Sequence, residues 1–160
     1  MQIAIREADF TDPQHRTGIV DVLDSYASDP LGGGMPLSAL VRQRLVPALQ
    51  EHPTAYILLA FADEQPVGIA VSFFAFSTFQ ASPLVNIHDL AVVPAWRGKG
   101  IGRALLSAVE TYARERGCCK LTLEVQDDNT RARGVYESCG FVDFVVGDSA
   151  PTRFLTKPLT

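Results

Sequence analysis

Hydrophobic positions recur along the chain with two different spacings. Apolar residues at every second position predict strands, whereas apolar residues three or four positions apart predict helices. The predicted elements are, in order, a strand at 1–6, helices at 12–26 and 37–51, strands at 55–62, 67–76 and 84–93, a helix at 101–116, a strand at 120–125, a helix at 128–139, and closing strands at 141–146 and 153–155.

Residues with special backbone preferences set the predicted helix boundaries. Asp12 and Pro13 start the first helix, and either Asp128 or Asn129 caps the last one. Pro47 should kink or divide the second helix because proline lacks an N–H group. We expect the core-facing helical residues to be Ile19, Val22 and Leu23 on the first helix and Ile101, Leu105, Ala108, Val109 and Tyr112 on the third.

The order of these elements predicts a mixed sheet. Short turns join the three strands between residues 55 and 93, so these strands should be antiparallel neighbours. The strand, helix and strand from 84 to 125 should pair in parallel through a right-handed crossover. The chain is therefore predicted to be an α/β protein (an α+β mixed sheet). Its 160 residues, 47% of them hydrophobic, suit a single domain at 1–160.

Net charge and composition exclude several function classes. A formal charge of −4 disfavours nucleic-acid binding. No apolar run reaches the roughly 18 residues that span a bilayer, and the first residues do not resemble a signal peptide, so we expect a cytoplasmic protein without membrane contact. The three cysteines fit neither a disulfide framework nor a zinc site, so we expect buried thiols and no metal.

The segment between the third hairpin strand and the third helix carries the clearest chemical signal. Gly98, Gly100 and Gly102 offer unhindered N–H groups at a helix N-terminus, and Arg97, Lys99 and Arg103 add positive charge. This combination predicts a phosphate site. A dinucleotide fingerprint would need glycine where Arg103 stands. The triple glycine at 32–34 lacks the end of a nucleotide-binding P-loop, so we expect only a flexible loop there.

The sequence Arg97-Gly98-Lys99-Gly100-Ile101-Gly102 resembles the Arg/Gln-x-x-Gly-x-Gly/Ala pyrophosphate loop of the GNAT superfamily of N-acetyltransferases. A second block, VQDDNTRARGVYESCGF, resembles another conserved segment of that superfamily, and the resemblance spans about residues 67–141. The segments FFAFSTF and HDLAVVPAWRGKGIG are most similar to the diamine (spermidine/spermine) acetyltransferase branch.

This resemblance implies the GNAT fold, with acetyl-CoA as co-substrate between two splayed parallel strands. It also implies that Tyr136 is the general acid that protonates the departing thiolate; the alternative is that its ring only packs. The residues implied to contact the cofactor are Leu90, Ala91, Val92, Arg97, Gly98, Lys99, Gly100, Ile101, Gly102, Arg103, Asn129, Thr130, Arg131, Ala132 and Tyr136.

The base that deprotonates the amine is open on sequence grounds. By resemblance, His88 aligns with the first residue of a Glu-Asp pair in the diamine branch. An imidazole is suited to proton abstraction near neutral pH. Asp89, Glu124 or a water molecule are the alternatives, and His88 would then be a strand residue only. Because adjacent strand residues point to opposite faces, we expect only one of His88 and Asp89 to face the acceptor.

These observations predict an N-acetyltransferase that acetylates a small primary amine by direct attack in a ternary complex. The alternatives are a non-catalytic acyl-CoA-binding domain and a protein lysine or N-terminal acetyltransferase, the latter with a peptide groove at 27–37 and 77–83. The apolar hairpin FFAFSTF and the resemblance together predict a homodimer.

Overall fold

The computed structural model describes residues 2–159, which form two compact units divided between Leu123 and Glu124. The elements are β1 (Ile3–Glu7), α1 (Pro13–Ser28), α2 (Ala39–Glu51), β2 (Ala55–Ala62), β3 (Gln65–Ser77), β4 (Ser82–Val92), α3 (Ile101–Glu115) and β5 (Leu121–Leu123) in the first unit and α4 (Thr130–Ser138) in the second. Short 3₁₀ turns occur at Pro30–Gly32 and Pro94–Trp96. Among the described helices, none is long and apolar enough to cross a membrane.

The sheet has five strands in sequence order. Strands β1 to β4 pair antiparallel, and β5 pairs with β4 in parallel from Val85↔Leu121 to Ile87↔Leu123. This arrangement confirms the predicted mixed sheet. However, β5 has only three residues, about half the length that the alternating pattern of 120–125 predicted.

Helices cover both faces of the sheet. The apolar residues of α1 and α2 pack on a core that includes Ile57, Leu59 and Phe61, which alternate along β2. On the opposite face, Tyr56 stacks on Tyr112 of α3 with 3.3 Å between ring centroids. The predicted inward residues Ile19, Val22, Leu23, Ile101, Leu105 and Val109 are all buried, whereas Ala108 and Tyr112 are half-buried.

The predicted caps of the first and last helices are confirmed, whereas the second helix begins at Ala39 and not at Leu37. The carboxylate of Asp12 accepts a hydrogen bond from the N–H of Gln14 (2.7 Å), and the side chain of Asn129 accepts one from Ala132 (3.1 Å). These side-chain acceptors satisfy N–H groups that have no partner within the helix. Pro47 lies inside α2 and does not divide it.

The turn between β2 and β3 is tighter than predicted. It consists only of Asp63 and Glu64, and Ala62 pairs with Gln65. Both turn residues have positive φ, 46° and 68°, which matches the two-residue hairpin turn that follows the twist of the strands. Glu64 accepts two hydrogen bonds from Arg6, at 2.6 and 2.9 Å, which fastens the turn to β1.

The segment at 29–35, called the connector below, is not the open flexible loop expected from its glycines. The carbonyl oxygen of Asp29 accepts hydrogen bonds from the N–H groups of Gly32 (2.8 Å) and Gly34 (3.0 Å). A Cβ on Gly32 would lie 1.9 Å from the carbonyl oxygen of Tyr26. Glycine at position 32 therefore allows the connector to fold tightly against the end of α1.

The predicted closing strands at 141–146 and 153–155 are wrong. No described residue in these segments belongs to a strand, and apart from the half-buried Phe141 their apolar side chains are exposed, including Val142 (89%) and Leu155 (84%). The N–H of Thr152, which precedes the second segment, donates to the carbonyl oxygen of Phe144 in the first (2.9 Å). Alternating apolar residues form a strand only when a partner strand satisfies their backbone groups and a core covers one face.

Candidate functional site

Strand β4 extends beyond its parallel neighbour. The β4–β5 pairing stops at Ile87↔Leu123, and beyond it residues 89–92 of β4 pair only with β3. In this stretch Val71 faces Asp89 and Ser72 faces Ile87, so His88 is the extra residue of a β-bulge. Bulges bend a strand and re-aim its side chains, and they often occur beside active sites.

The open edge of β4 presents backbone groups of alternate residues. The N–H of Val93 donates to the carbonyl oxygen of Val67 (2.9 Å). Because backbone groups alternate in direction along an antiparallel pair, those of Ala91 face β3, whereas those of Leu90 and Val92 face the open edge. Of the three β4 residues expected to contact the cofactor, Leu90 and Val92 are thus oriented to do so through their backbones.

The residues at 97–103, called the phosphate loop below, carry N–H groups into the start of α3. Gly98 and Gly100 have φ values of 77° and 80°, and Gly100 is the N-cap of α3 without a side-chain cap. Within residues 2–159, the N–H groups of 98–103 have no hydrogen-bond acceptor. A Cβ on Gly100 or Gly102 would meet no atom within 4 Å. This open cradle of unpaired donors suits a pyrophosphate.

The three cations of the phosphate loop have different surroundings. Arg97 donates from Nε to the carbonyl oxygen of Val92 (3.0 Å) and forms an ion pair with Asp29 (2.9 Å). The ammonium group of Lys99 lies 4.3 Å from the ring centroid of Trp96, and Arg103 is exposed. Lys99 and Arg103 are therefore the accessible cations, while the guanidinium of Arg97 already holds protein partners.

His88 and Asp89 do not point to opposite faces of the sheet, contrary to expectation. The exposed ring of His88 contacts the edge of Phe73, with centroids 5.7 Å apart, and Phe73 packs on the α1–α2 core. Asp89 pairs in register with Val71, another residue of that core. The bulge at His88 interrupts the two-residue alternation and turns both residues toward the same face.

Two side chains near these residues were missed by sequence reasoning. His52, at the end of α2, contacts Phe73 with ring centroids 4.8 Å apart, so Phe73 contacts two histidines. Burial raises the pKa of the Tyr26 hydroxyl, and the carboxylates of Asp89 and Asp29 raise it further. Neither His52 nor Tyr26 belongs to a recognisable motif, so only the folded sheet reveals their positions.

The second unit contains the remaining expected site residues. Asn129 uses its side chain as the cap of α4, Thr130 and Arg131 are exposed, and Ala132 is half-buried. The half-buried ring of Tyr136 contacts Phe141 edge to face at 5.9 Å. The structure thus assigns Asn129 a local structural role and Tyr136 a packing contact, whatever else they do.

The acidic residues and cysteines considered in the sequence are not clustered. Glu124 and Asp127 are exposed, and Asp127 lies 3.7 Å from Arg133. The cysteines are free, as expected, but they are half-buried rather than buried. Among residues 2–159, no group of three or more His, Cys, Asp or Glu side chains could hold a metal ion.

A family comparison covers the region that contains the bulged strand, the glycine loop and α3. The model of the acetyltransferase (GNAT) family matches residues 20–141. The chain belongs to this family. The GNAT resemblance predicted from the two sequence blocks is thereby confirmed, and the matched region includes the phosphate loop and Tyr136.

Named relatives of this GNAT chain include amine acetyltransferases. It is 30% identical over 102 residues to the aminoglycoside N(6')-acetyltransferase type 1 of Stenotrophomonas maltophilia, covering 62% of the chain and 67% of that protein. It is 35% identical over 77 residues to the thialysine N-epsilon-acetyltransferase of Bos taurus, covering 48% and 45%. The chain thus matches about half to two thirds of the length of these relatives.

Solved structures confirm the GNAT fold. A probable acetyltransferase superposes with a TM-score of 0.76 at 21% identity, covering 98% of this chain and 100% of the other. An aminoglycoside acetyltransferase from an uncultured soil metagenomic sample, solved with sisomicin, superposes with a TM-score of 0.74 at 18% identity, covering 94% and 97%. At these identities the likeness concerns the fold alone.

Proposed function

We propose that the protein is an acetyl-CoA-dependent N-acetyltransferase that acetylates a small primary amine by direct attack in a ternary complex. The observation that carries this proposal is the phosphate loop, whose N–H groups have no acceptor within residues 2–159 and surround open space at Gly100 and Gly102. Acetyl-CoA supplies an activated acetyl group as a thioester. Cofactor binding, deprotonation of the amine and protonation of the leaving thiolate depend on residues of the chain.

The chain's first task is to hold the co-substrate. The N–H groups of 98–103 bind the pyrophosphate, and Lys99 and Arg103 add charge at the exposed rim. The open-edge backbone groups of Leu90 and the N–H of Val92 hydrogen-bond the pantetheine arm, as an added strand would, while the Val92 carbonyl accepts from Arg97. In the second unit, residues 129–132 lie against the pantetheine arm in this proposal, as the GNAT resemblance implies, while the Asn129 side chain caps α4.

The transfer itself needs one base and one acid. The amine nitrogen attacks the thioester carbon, the carbon–sulfur bond breaks, and the electron pair leaves with sulfur. His88 accepts the proton that the amine loses, because its exposed imidazole lies at the bulge on β4. Tyr136 donates a proton to the departing thiolate and regains one from solvent; with reference pKa values near 10 for a phenol and 8.5 for a thiol, this transfer is uphill by only about 1.5 pKa units.

The acceptor lies on the α1–α2 face of the sheet in this proposal. His88, Asp89 and Tyr26 all border this face, and the carboxylate of Asp89 favours a cationic amine there. The named relatives act on aminoglycosides and thialysine, which both carry primary amines. Amines of these two kinds and diamines are therefore the first acceptors to test.

The first experiment measures thermal unfolding with and without acetyl-CoA. A ligand at 100 times its dissociation constant stabilises the native state by roughly 2.7 kcal/mol. We expect a clear rise in Tm with millimolar acetyl-CoA and none with acetate. A folded protein whose Tm does not respond to acetyl-CoA would contradict the proposal.

The second experiment measures free thiol release with a panel of amines, namely diamines, aminoglycosides, thialysine and lysine peptides. Turnover with a small amine supports the proposal. Turnover with peptides alone would identify a protein acetyltransferase, and tight acetyl-CoA binding without any turnover would favour a non-catalytic binding domain.

The role of His88 is tested by the pH dependence of kcat/KM with two acceptors of different pKa. An acidic limb at the same pH for both acceptors belongs to the enzyme, and His88→Ala should remove it and lower kcat/KM by about 100-fold. The opposite result is an acidic limb that shifts with the pKa of the acceptor, together with a loss of kcat/KM below about threefold in His88→Ala. That result would leave Asp89, Glu124 or water as the base.

We also propose that the protein is a cytoplasmic homodimer. The apolar tip of the β3–β4 hairpin supports this, because Phe76 and Phe79 are 60% and 96% exposed. Sedimentation at micromolar concentration should give twice the 17.4 kDa mass of the chain. A single 17.4 kDa species, or a dimer unaffected by Phe79→Ser, would argue against this interface.

A further inference from the structure

We propose that Asp29 and Arg97 are a pair of positioning residues, which fix the phosphate loop to the connector and thereby set the affinity for the coenzyme A moiety. The proposal rests on the proposed function, since it concerns the same loop. It assigns the side chain of Arg97 to holding the loop in shape, rather than to direct contact with phosphate. It also gives a binding role to Asp29, which no sequence motif includes.

The contacts of Arg97 support this assignment. Its Nε donates to the carbonyl oxygen of Val92 at 3.0 Å, and one terminal nitrogen lies 2.9 Å from the Asp29 carboxylate. The N–H of Arg97 donates to the carbonyl oxygen of Pro94 at 3.2 Å. The side chain is only 28% exposed. A guanidinium held on two sides is fixed in position and joins the end of β4 to the start of the loop.

Asp29 organises the other side of this contact. One carboxylate oxygen accepts from the N–H of Leu31 at 3.0 Å, and the other accepts from Arg97. Its backbone oxygen accepts from Gly32 and Gly34, so Asp29 accepts hydrogen bonds from three N–H groups of the connector. The hydrogen bond from Leu31 and the pairing with Arg97 lower the pKa of its carboxyl, so Asp29 is ionised at neutral pH.

The fold therefore places the half-buried carboxylate of Asp29, 17% exposed, beside a loop that is proposed to bind a polyanion. By Coulomb's law alone, that carboxylate weakens the binding of phosphate, and its removal should strengthen binding. If the pair holds the loop in its binding shape, removal of the carboxylate should weaken binding instead. The two explanations thus predict opposite signs for the same substitution.

Asp29→Asn is the first test, with coenzyme A binding measured by calorimetry. We expect the dissociation constant to rise at least about fivefold, the lower end of typical coupling between linked sites. Asp29→Glu, which keeps the charge on a side chain one methylene longer, should lose less affinity than Asp29→Asn. Asp21→Asn is the matched control, because it removes the same charge from an exposed ion pair with Arg42 and should leave affinity unchanged.

Arg97→Lys is the second test and does not depend on whether Asp29→Asn folds. Lysine keeps the positive charge, so direct attraction of phosphate predicts little change in affinity. A single ammonium cannot reproduce the planar fork that spans Val92 and Asp29, so positioning predicts weaker binding, again by about fivefold or more.

Hydrogen exchange in the absence of coenzyme A provides a readout that does not involve the ligand. The amides of Gly32 and Gly34 should exchange faster in both Asp29→Asn and Arg97→Lys than in Asp21→Asn. A merely structural defect would lower Tm but leave the affinity of the folded protein unchanged, and that result would overturn the proposal.

The outcomes separate this proposal from the proposed function. If wild-type protein binds coenzyme A but Asp29→Asn binds equally or more tightly, the positioning role is wrong and the proposed function stands. If wild-type protein does not bind coenzyme A, the proposed function is wrong, and the positioning role falls with it.

Discussion

Replacing Gly100 by alanine tests the conformation on which the phosphate loop depends. Gly100 has a φ of 80°, in the left-handed region, and is the N-cap of α3. A Cβ there would meet no atom within 4 Å, so steric overlap with neighbouring residues does not contribute. The effect of Gly100→Ala on stability should therefore come from the backbone conformation alone.

The magnitude follows from two opposing effects. An L-residue in the left-handed region costs roughly 1–2 kcal/mol. Alanine also restricts the unfolded chain, which offsets about 0.4–1 kcal/mol of that cost. The net effect of Gly100→Ala is a loss of about 1 kcal/mol. For a chain of this length, this corresponds to a decrease in Tm of about 2–4 °C.

Gly102→Ala is the matched control. Its Cβ also meets open space, but Gly102 lies in the first turn of α3 with no positive φ, so alanine should stabilise the helix by up to about 1 kcal/mol. The GNAT loop pattern accepts alanine at this position. The control should therefore keep the rise in Tm caused by coenzyme A, whereas Gly100→Ala should reduce it.

Differential scanning calorimetry of the two variants, with and without coenzyme A, checks both expectations. The variants should differ in Tm by about 4–8 °C, since their expected stabilities differ by about 2 kcal/mol. Equal Tm values would show that position 100 does not need a left-handed conformation. An unchanged coenzyme A response in Gly100→Ala would show that the loop binds no phosphate through this geometry.

Three further predictions address other parts of the molecule. Tyr136→Phe should lower kcat by about 10²- to 10⁴-fold with little change in acetyl-CoA affinity; an unchanged chemical step would make water the acid. Burial raises the pKa of the Tyr56 hydroxyl to about 12. The contribution of Tyr56 to the free energy of unfolding should therefore be fully present below about pH 10 and be lost as the pH rises toward 12. In an alkaline unfolding titration, Tyr56→Phe should show a smaller loss of stability. Gly32→Ala should lower the free energy of unfolding in urea by about 2 kcal/mol or more, because its Cβ would overlap the Tyr26 carbonyl. The control Gly134→Ala, whose Cβ would meet open space on α4, should not lower the free energy of unfolding.

The sequence by itself determined most of the local structure, including the positions of the glycines and cations in the loop. Helix starts at Asp12 and Asn129 and glycine positions such as Gly100 depend on interactions within a few residues, so they are visible in the sequence. The phosphate loop was predictable for the same reason, since its glycines, its cations and the following helix are contiguous.

Only the tertiary structure decided how distant segments meet. The bulge at His88 arises from the register of β4 against β3, and it turns His88 and Asp89 to one face despite their alternation in sequence. The pairing of Asp29 with Arg97 joins residues 68 positions apart, which no local pattern encodes. The alternating apolar residues at 141–146 lacked a strand partner, because pairing depends on what lies beside a segment and not on its own sequence.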